Sequence, residues 1–235
     1  LLFLDCDDYE AGSGNFSARW QRWVIARFER WVPQHVHAIT VNTQFMLQKL
    51  ISWGIDENRL IYLPNGLDQF RFRKAGIKST FELRNQLGLE GKSIVSYIGS
   101  LSLASHAVNL LLEAFVHVYN EFPNARLLIV GAGEDMQSLQ AQAASLGIEN
   151  AVSWAGRVPP EQAPVFYHLS DLTVDPVYDN DAARGRAPLK LFESWACEVP
   201  FITSDLGDRK HLLGMPLAGW LAKPGSADSL SEKIL

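Results

Sequence analysis

Ser93–Gly99 reads SIVSYIG, and four more runs of the same kind follow it: ARLLIVG (Ala125–Gly131), NAVSWAG (Asn150–Gly156), DLTVDP (Asp171–Pro176) and VPFITS (Val199–Ser204). Each is short, apolar on both alternating sets of positions and bounded by turn residues, the pattern of a strand buried on both faces. Between them lie helical stretches near 106–120, 135–146, 160–169 and 188–197. Strand and helix in strict alternation predict an α/β fold with a parallel sheet and helices on both faces.

An earlier set repeats the logic. LLFLD, HAITVN and LIYLPNG read as strands, and 16–31 and 43–53 as helices, too little for a complete domain. Residues 68–92 form a polar linker in which Ser79-Thr80 precedes an amphipathic run, the signature of a capped helix. The expected organisation is therefore 1–67, a remnant of a first domain; 68–92, linker and helix; and 93–235, a second domain. The abrupt apolar start and the final SADSLSEKIL, a capped helix of two turns, suggest a chain cut at both ends.

Composition excludes several classes of function. The 21 basic and 26 acidic residues leave a formal charge of -5, so no basic field exists to hold nucleic acid. Cys6 and Cys197 form neither a CxxC pair nor a disulfide framework, which fits a cytoplasmic setting. No apolar run reaches the roughly 18 residues of a spanning helix.

The richest chemistry lies in RGRAPLKLFESWACEVPFITSD, Arg184–Asp205. Pro188 suits a first helical turn, and Leu189, Phe192 and Ala196 recur at helical spacing as the core face, with Glu193 on its edge. Arg184, Arg186 and Lys190 gather at the helix N-terminus, where the macrodipole disfavours cations. An anionic ligand would reconcile them, since backbone N–H groups and guanidinium forks both suit phosphate oxygens, while Glu193 could accept ribose hydroxyls. The bland reading is a solvated Lys190–Glu193 pair beside a soluble loop.

PLKLFESWACEVPFITSD resembles the Pro-x-Lys-x-x-Glu segment of nucleotide-sugar-dependent glycosyltransferases of the retaining family 4 type (glycosyl transferases group 1), which have the GT-B fold. Leu63–Asp68 resembles the Pro-Asn-Gly-Val-Asp turn of that family, and Ile98–Phe115, Leu127–Leu139 and Val152–Pro176 match its later segments in order, so the resemblance covers nearly the whole chain. It implies two Rossmann-like domains, the first incomplete, and a sugar moved from a nucleotide-sugar donor to a glycan or lipid-linked acceptor in bacterial polysaccharide or glycoconjugate biosynthesis. It implies retention of configuration, no cofactor, and no metal.

The same resemblance nominates donor-site residues: Gly99, Ser100 and His106 in the first loop, Gly133, Arg157 and Val158 in later loops, and Arg184, Arg186, Leu189, Lys190 and Glu193. Two departures stand out. The family commonly has a glutamate eight positions before Glu193, where this chain has Gly185, and its first-loop Arg and Lys correspond to Ser100 and His106. The cations at 184, 186 and 190 are expected to supply the missing charge. No catalytic residue is assignable, and the fragment alone is expected to lack loops that the family's N-terminal half brings to the cleft.

Rival readings are a nucleotide-sugar epimerase on the same architecture, a nucleotide-sugar-binding protein without activity, and a dinucleotide oxidoreductase suggested by Gly131-Ala132-Gly133. The last lacks the third glycine of its fingerprint, Met136 standing there instead. In LDCDDYE, Leu4–Glu10, the Asp5–Asp7 spacing is one that holds a metal in glycosyltransferases of the other common fold. Strand alternation turns Asp5 and Asp7 to one side and Asp8 to the other, and the segment, with Asp7 and Asp8, is read instead as the acceptor-side rim of the cleft. FSARWQRWVIARFERWV carries an aromatic stripe flanked by arginines, read first as a core helix whose aromatic face packs on the missing first-domain sheet and second as a peripheral contact with an anionic membrane.

Overall fold

The structure, a computed structural model, describes residues 1–13, 16, 18–72, 77–214 and 217–235. A first lobe contains β1 (Phe3–Cys6), α1 (Arg19–Trp31), β2 (Ala38–Val41), α2 (Gln44–Ser52) and β3 (Leu60–Tyr62). Its three strands are parallel in the order β1-β2-β3, with Phe3 opposite Ala38 and Ile39 opposite Leu60. Ile39, Val41, Met46, Leu50 and Ile55 form its core.

Two helices follow, α3 (Gln69–Phe72) and α4 (Ile77–Gln86). Both pack on the second lobe: Phe72 against Tyr167, Cys197 and Val199, and Leu83 and Leu87 against Phe166 and Leu169. Residues Ile77–Gln86 are helical, so Ser79 and Thr80 lie within α4 and do not precede it as caps.

The second lobe runs β4 (Ser93–Ile98), α5 (Val108–Glu121), β5 (Ala125–Val130), α6 (Met136–Ser145), β6 (Val152–Gly156), α7 (Ala163–Leu169), β7 (Leu172–Asp175), α8 (Asp181–Gly185), α9 (Leu189–Ala196), β8 (Phe201–Ser204), α10 (Arg209–Leu213), β9 (Trp220–Ala222) and α11 (Ala227–Ile234). All its strand pairs are parallel, in the order β6-β5-β4-β7-β8-β9. Renumbered within the lobe this is 3-2-1-4-5-6, the doubly wound order whose direction of winding reverses between the first and fourth strands, here β4 and β7.

Local sequence explains the core. Ile94, Val95, Ser96 and Tyr97 are all buried, as a central strand covered on both faces requires. On α5, Val108, Leu111, Leu112, Phe115 and Val118 fall at spacings of three and four and meet Val95, Leu127 and Ile129 from β4 and β5. Each such side chain contributes on the order of 1.5–3 kcal/mol. The side chain of Ser226 accepts from the Ser229 N–H at 3.2 Å and caps α11, whose Leu230 joins the same core.

Two expectations are corrected. On α9 the buried positions are Leu191 and Ser194, while Leu189 is 47% exposed and Phe192 and Ala196 are only half-buried. Pro188 is the N-cap and not the first helical residue, and Ser194 is turned inward because its hydroxyl meets that of Thr173 on β7. Lys190, Glu193 and Ser194 share one side of the helix, yet Ser194 is buried, so polarity alone does not reveal which face is inside.

Helix α1 has no buried residue: Trp20 and Trp23 are each 68% exposed, and Phe28 and Trp31 are exposed too. It is tied down by Glu29, which accepts from the Glu10 N–H at 2.7 Å and the Ala11 N–H at 3.2 Å. Among the described residues its aromatic stripe lies in solvent. Among the described residues, no helix is long and apolar enough to cross a membrane.

Candidate donor-binding site at the strand crossover

In a doubly wound sheet the crevice opens outside the carboxyl ends of the strands where the winding reverses. Here those ends are Ile98 of β4, leading into the loop Gly99–Ala107, and Asp175 of β7. The first loop is built on close backbone contacts. The Gly99 N–H donates to Val130 O at 2.9 Å and the Leu101 N–H to Ala132 O at 3.1 Å. A Cβ at Gly131, whose φ is +146°, would stand 1.8 Å from Gly99 O, and one at Gly133 would stand 2.4 Å from Leu101 O. Both glycines are thus fixed by loop-on-loop packing, and Gly133 acts as the support of the first loop.

Lys190 reaches this loop from α9. Its stem passes so near Gly99 that a Cβ there would lie 2.5 Å from Lys190 Cε. The ammonium donates to Asp175 Oδ1 at 2.9 Å and sits 5.1 Å from the centre of the Tyr97 ring. The other carboxylate oxygen of Asp175 faces Arg209 Nη2 at 3.9 Å. Asp175 is 3% exposed at its side chain and Arg209 0%, yet burial does not neutralise the acid. Desolvation pushes its pKa up, but Lys190 and then Arg209 outweigh it and hold the carboxyl below its usual range.

One turn beyond Lys190, half-buried Glu193 accepts a hydrogen bond from the Tyr167 hydroxyl at 2.5 Å. Tyr167 is fully buried, and its phenol is pushed well above the ordinary value by burial and by Glu193, so it stays a donor. That bond uses one oxygen of Glu193. Tyr97, similarly buried, donates to Ser100 O at 2.8 Å and fixes the loop's second residue.

The three cations do not form the unsatisfied cluster that their spacing suggests. Arg184 pairs with Asp179 at 2.8 Å, Lys190 pairs with Asp175, and Arg186 Nη1 donates to Ser105 O. The local conflict is relieved by two carboxylates and a backbone carbonyl, so no anion is required to explain the three charges. Arg186 and Lys190 still flank the first loop, whereas Arg184 is turned to Asp179 on the surface.

His106 stacks edge-on to Tyr97, ring centres 6.2 Å apart. Its pKa is pushed down to about 3, chiefly by burial and then by Lys190, so at neutral pH it is uncharged and replaces no phosphate-binding cation. An unfolded histidine titrates near 6.5, so the fold binds fewer protons than the unfolded chain between there and about 3. Stability present above pH 6.5 is therefore lost as pH falls, at up to about 1.4 kcal/mol per pH unit. We expect chemical denaturation of a His106→Asn variant between pH 6.5 and 4 to have a flatter pH dependence than the parent; parallel curves would contradict the shift.

The first lobe closes one side of the crevice. Asp208 accepts from the Gln44 N–H at 2.6 Å and the Phe45 N–H at 3.4 Å, Thr43 Oγ1 donates to Gly185 O at 3.2 Å, and Lys49 pairs with Asp181 at 3.0 Å. Gly185 is buried there, and a Cβ would stand 3.2 Å from that of Tyr9. The departure from the family pattern at this position therefore has a spatial counterpart: it is occupied by the lobe contact. Asp7 accepts from Asn42 Nδ2 at 3.3 Å, and the carboxyl of Asp8 is raised mainly by desolvation, with Arg186 opposing. Arg157 is exposed and Val158 half-buried just beyond the end of β6, at the far side of β5. Among the described residues no group of three or more His, Cys, Asp or Glu side chains could hold a metal ion.

This architecture is that of the GT-B glycosyltransferases. Residues 79–235 match the family described as Glycosyl transferases group 1, and 3–66 match the Glycosyl transferase 4-like domain. The chain belongs to the group 1 glycosyltransferase family. It is 25% identical over 200 residues to the D-inositol 3-phosphate glycosyltransferase of Corynebacterium jeikeium, covering 81% of this chain and 45% of that protein. It is 28% identical over 169 residues to the mannosylfructose-phosphate synthase of Agrobacterium fabrum, covering 68% of this chain and 36% of that one. The chain thus spans less than half the length of these relatives. The crystal structure of Anabaena HepE in complex with UDP-glucose superposes with a TM-score of 0.80 at 21% identity, over 98% of this chain and 60% of that one.

Proposed function

We propose that the second lobe binds the nucleoside diphosphate of a nucleotide-sugar donor, and that the protein transfers the sugar to a glycan or lipid-linked acceptor in bacterial polysaccharide or glycoconjugate biosynthesis. The observation that carries this reading is the placement of Lys190 against Gly99 at the strand crossover, with Glu193 one turn further along the same helix. An ammonium suits a diphosphate, and a carboxylate oriented by Tyr167 suits ribose hydroxyls. The backbone at Arg157–Val158 would meet the base, Ser100 and Arg186 would border the phosphates, and Asp7 and Asp8 would edge the acceptor side. We further assign the reaction retention of configuration and no metal or cofactor, with the donor as co-substrate.

Calorimetric titration of the chain with UDP, GDP, ADP and NAD tests this. A nucleoside diphosphate is expected to bind at least tenfold more tightly than NAD; preference for NAD would sink the proposal. A turnover assay with the bound donor separates transfer from epimerisation and from binding alone.

We also assign a cytoplasmic setting at the inner face of the cell membrane, because α1 presents Trp20, Trp23, Phe28 and Trp31 to solvent beside Arg19, Arg22, Arg27 and Arg30. Co-sedimentation with anionic but not neutral liposomes is the expected result, and no co-sedimentation with either would remove this assignment.

A further inference from the structure

We propose that Asp175 is a positioning residue for donor binding: it holds the Lys190 ammonium over Gly99 at the crossover, with Arg209 behind it as the balancing charge. This deepens the nucleotide-sugar reading above and rests on it.

A lysine is a compact charge on a stem of four rotatable carbons, so an unrestrained one spends side-chain entropy when it meets a phosphate. Lys190 is restrained on three sides. Its stem lies on Gly99, its ammonium lies on the Tyr97 ring, and Asp175 Oδ1 accepts from it at 2.9 Å. The side chain keeps 17% of its surface, so an approaching anion still has access. Asp175 closes the C-terminal end of β7, and backbone pairing with β8 opposite Thr203 makes it a rigid anchor.

Arg209 stands behind this acid while tying α8 to β8. It is fully buried, its Nη1 donates to Ala183 O at 2.8 Å, its Nε to Thr203 Oγ1 at 3.1 Å, and its Nη2, directed at Asp175, has no hydrogen-bond partner. A cation is buried unpaired only at considerable cost, so its 3.9 Å approach to Asp175 Oδ2 is the compensating interaction. The acid therefore stays charged when Lys190 turns part of its field to a diphosphate. A positioned charge gains more from such an anion than a mobile one.

The test is a double-mutant cycle on the affinity of the 235-residue chain for UDP, GDP and ADP, with thermal unfolding recorded for every variant. Asp175→Asn is expected to weaken the best-bound diphosphate at least tenfold in the parent and less than twofold in a Lys190→Met background. A purely structural role would lower thermal stability and reduce affinity equally in both backgrounds, which would overturn the inference, as would unchanged affinity in Asp175→Asn. Should Asp175→Asn fail to fold, Asp175→Glu keeps the charge but displaces it by one methylene; about threefold weaker binding, again absent in the Lys190→Met background, is expected. If the parent binds none of the three nucleotides, the donor-site reading and this inference fall together; if it binds and the cycle shows no coupling, only the inference does.

Discussion

Replacing Arg209 by methionine should cost the fold about 3 kcal/mol and lower its melting temperature by about 10 °C, because breaking one side of a buried ionic network strands the other. The side chain is wholly buried between Asp175, Thr203 and Ala183 O, and methionine restores none of these contacts. Asp175 would keep Lys190 but lose the second cation that offsets its desolvation. Differential scanning calorimetry is the measurement. A loss below about 1 kcal/mol would show that the network contributes little net stability, as buried ion pairs sometimes do.

The second large effect concerns binding. Lys190→Met should weaken nucleoside diphosphate affinity by roughly 10- to 100-fold, the size of a charge-assisted hydrogen bond lost in a sheltered site. Arg184→Gln is the control, because Arg184 is turned to Asp179 and half its side chain is in solvent. Isothermal titration of both variants should give a loss for Lys190→Met alone. Equal losses would place the anion at the mouth of α8 and not at the first loop.

Much of the fold is legible in the sequence because short buried strands and amphipathic helices alternate with few interruptions. The runs at 93–99, 125–131, 150–156, 171–176 and 199–204 each contain a strand of the second sheet. β9 escapes notice because Trp220–Ala222 is a three-residue edge strand with exposed Trp220 and no periodicity to detect. The inner face of α9 is hidden by Ser194, a polar residue on the side of Lys190 and Glu193 that is buried for the sake of a hydroxyl pair only the tertiary fold supplies.

The site is legible only in part, for a different reason. Lys190 and Glu193 stand out through spacing, but their partners come from far along the chain: Asp175 from β7 and Tyr167 from α7. Asp175 carried one signal, an acid ending an otherwise apolar strand. Arg209 carried none, since in GDRK it reads as a surface turn. Charge conflicts inferred from one segment are unreliable because acids just before it intervene: Asp179 and Asp175 resolve the apparent crowding of Arg184 and Lys190.

We propose that a nucleoside diphosphate sits at the crossover between β4 and β7. Hydrogen–deuterium exchange of the chain with and without its best-bound nucleoside diphosphate tests this most directly. Protection of Gly99–Ala107, Arg157–Val158 and Arg186–Glu193 is the predicted result, while protection restricted to the first lobe, or to β9 and α11, would contradict it.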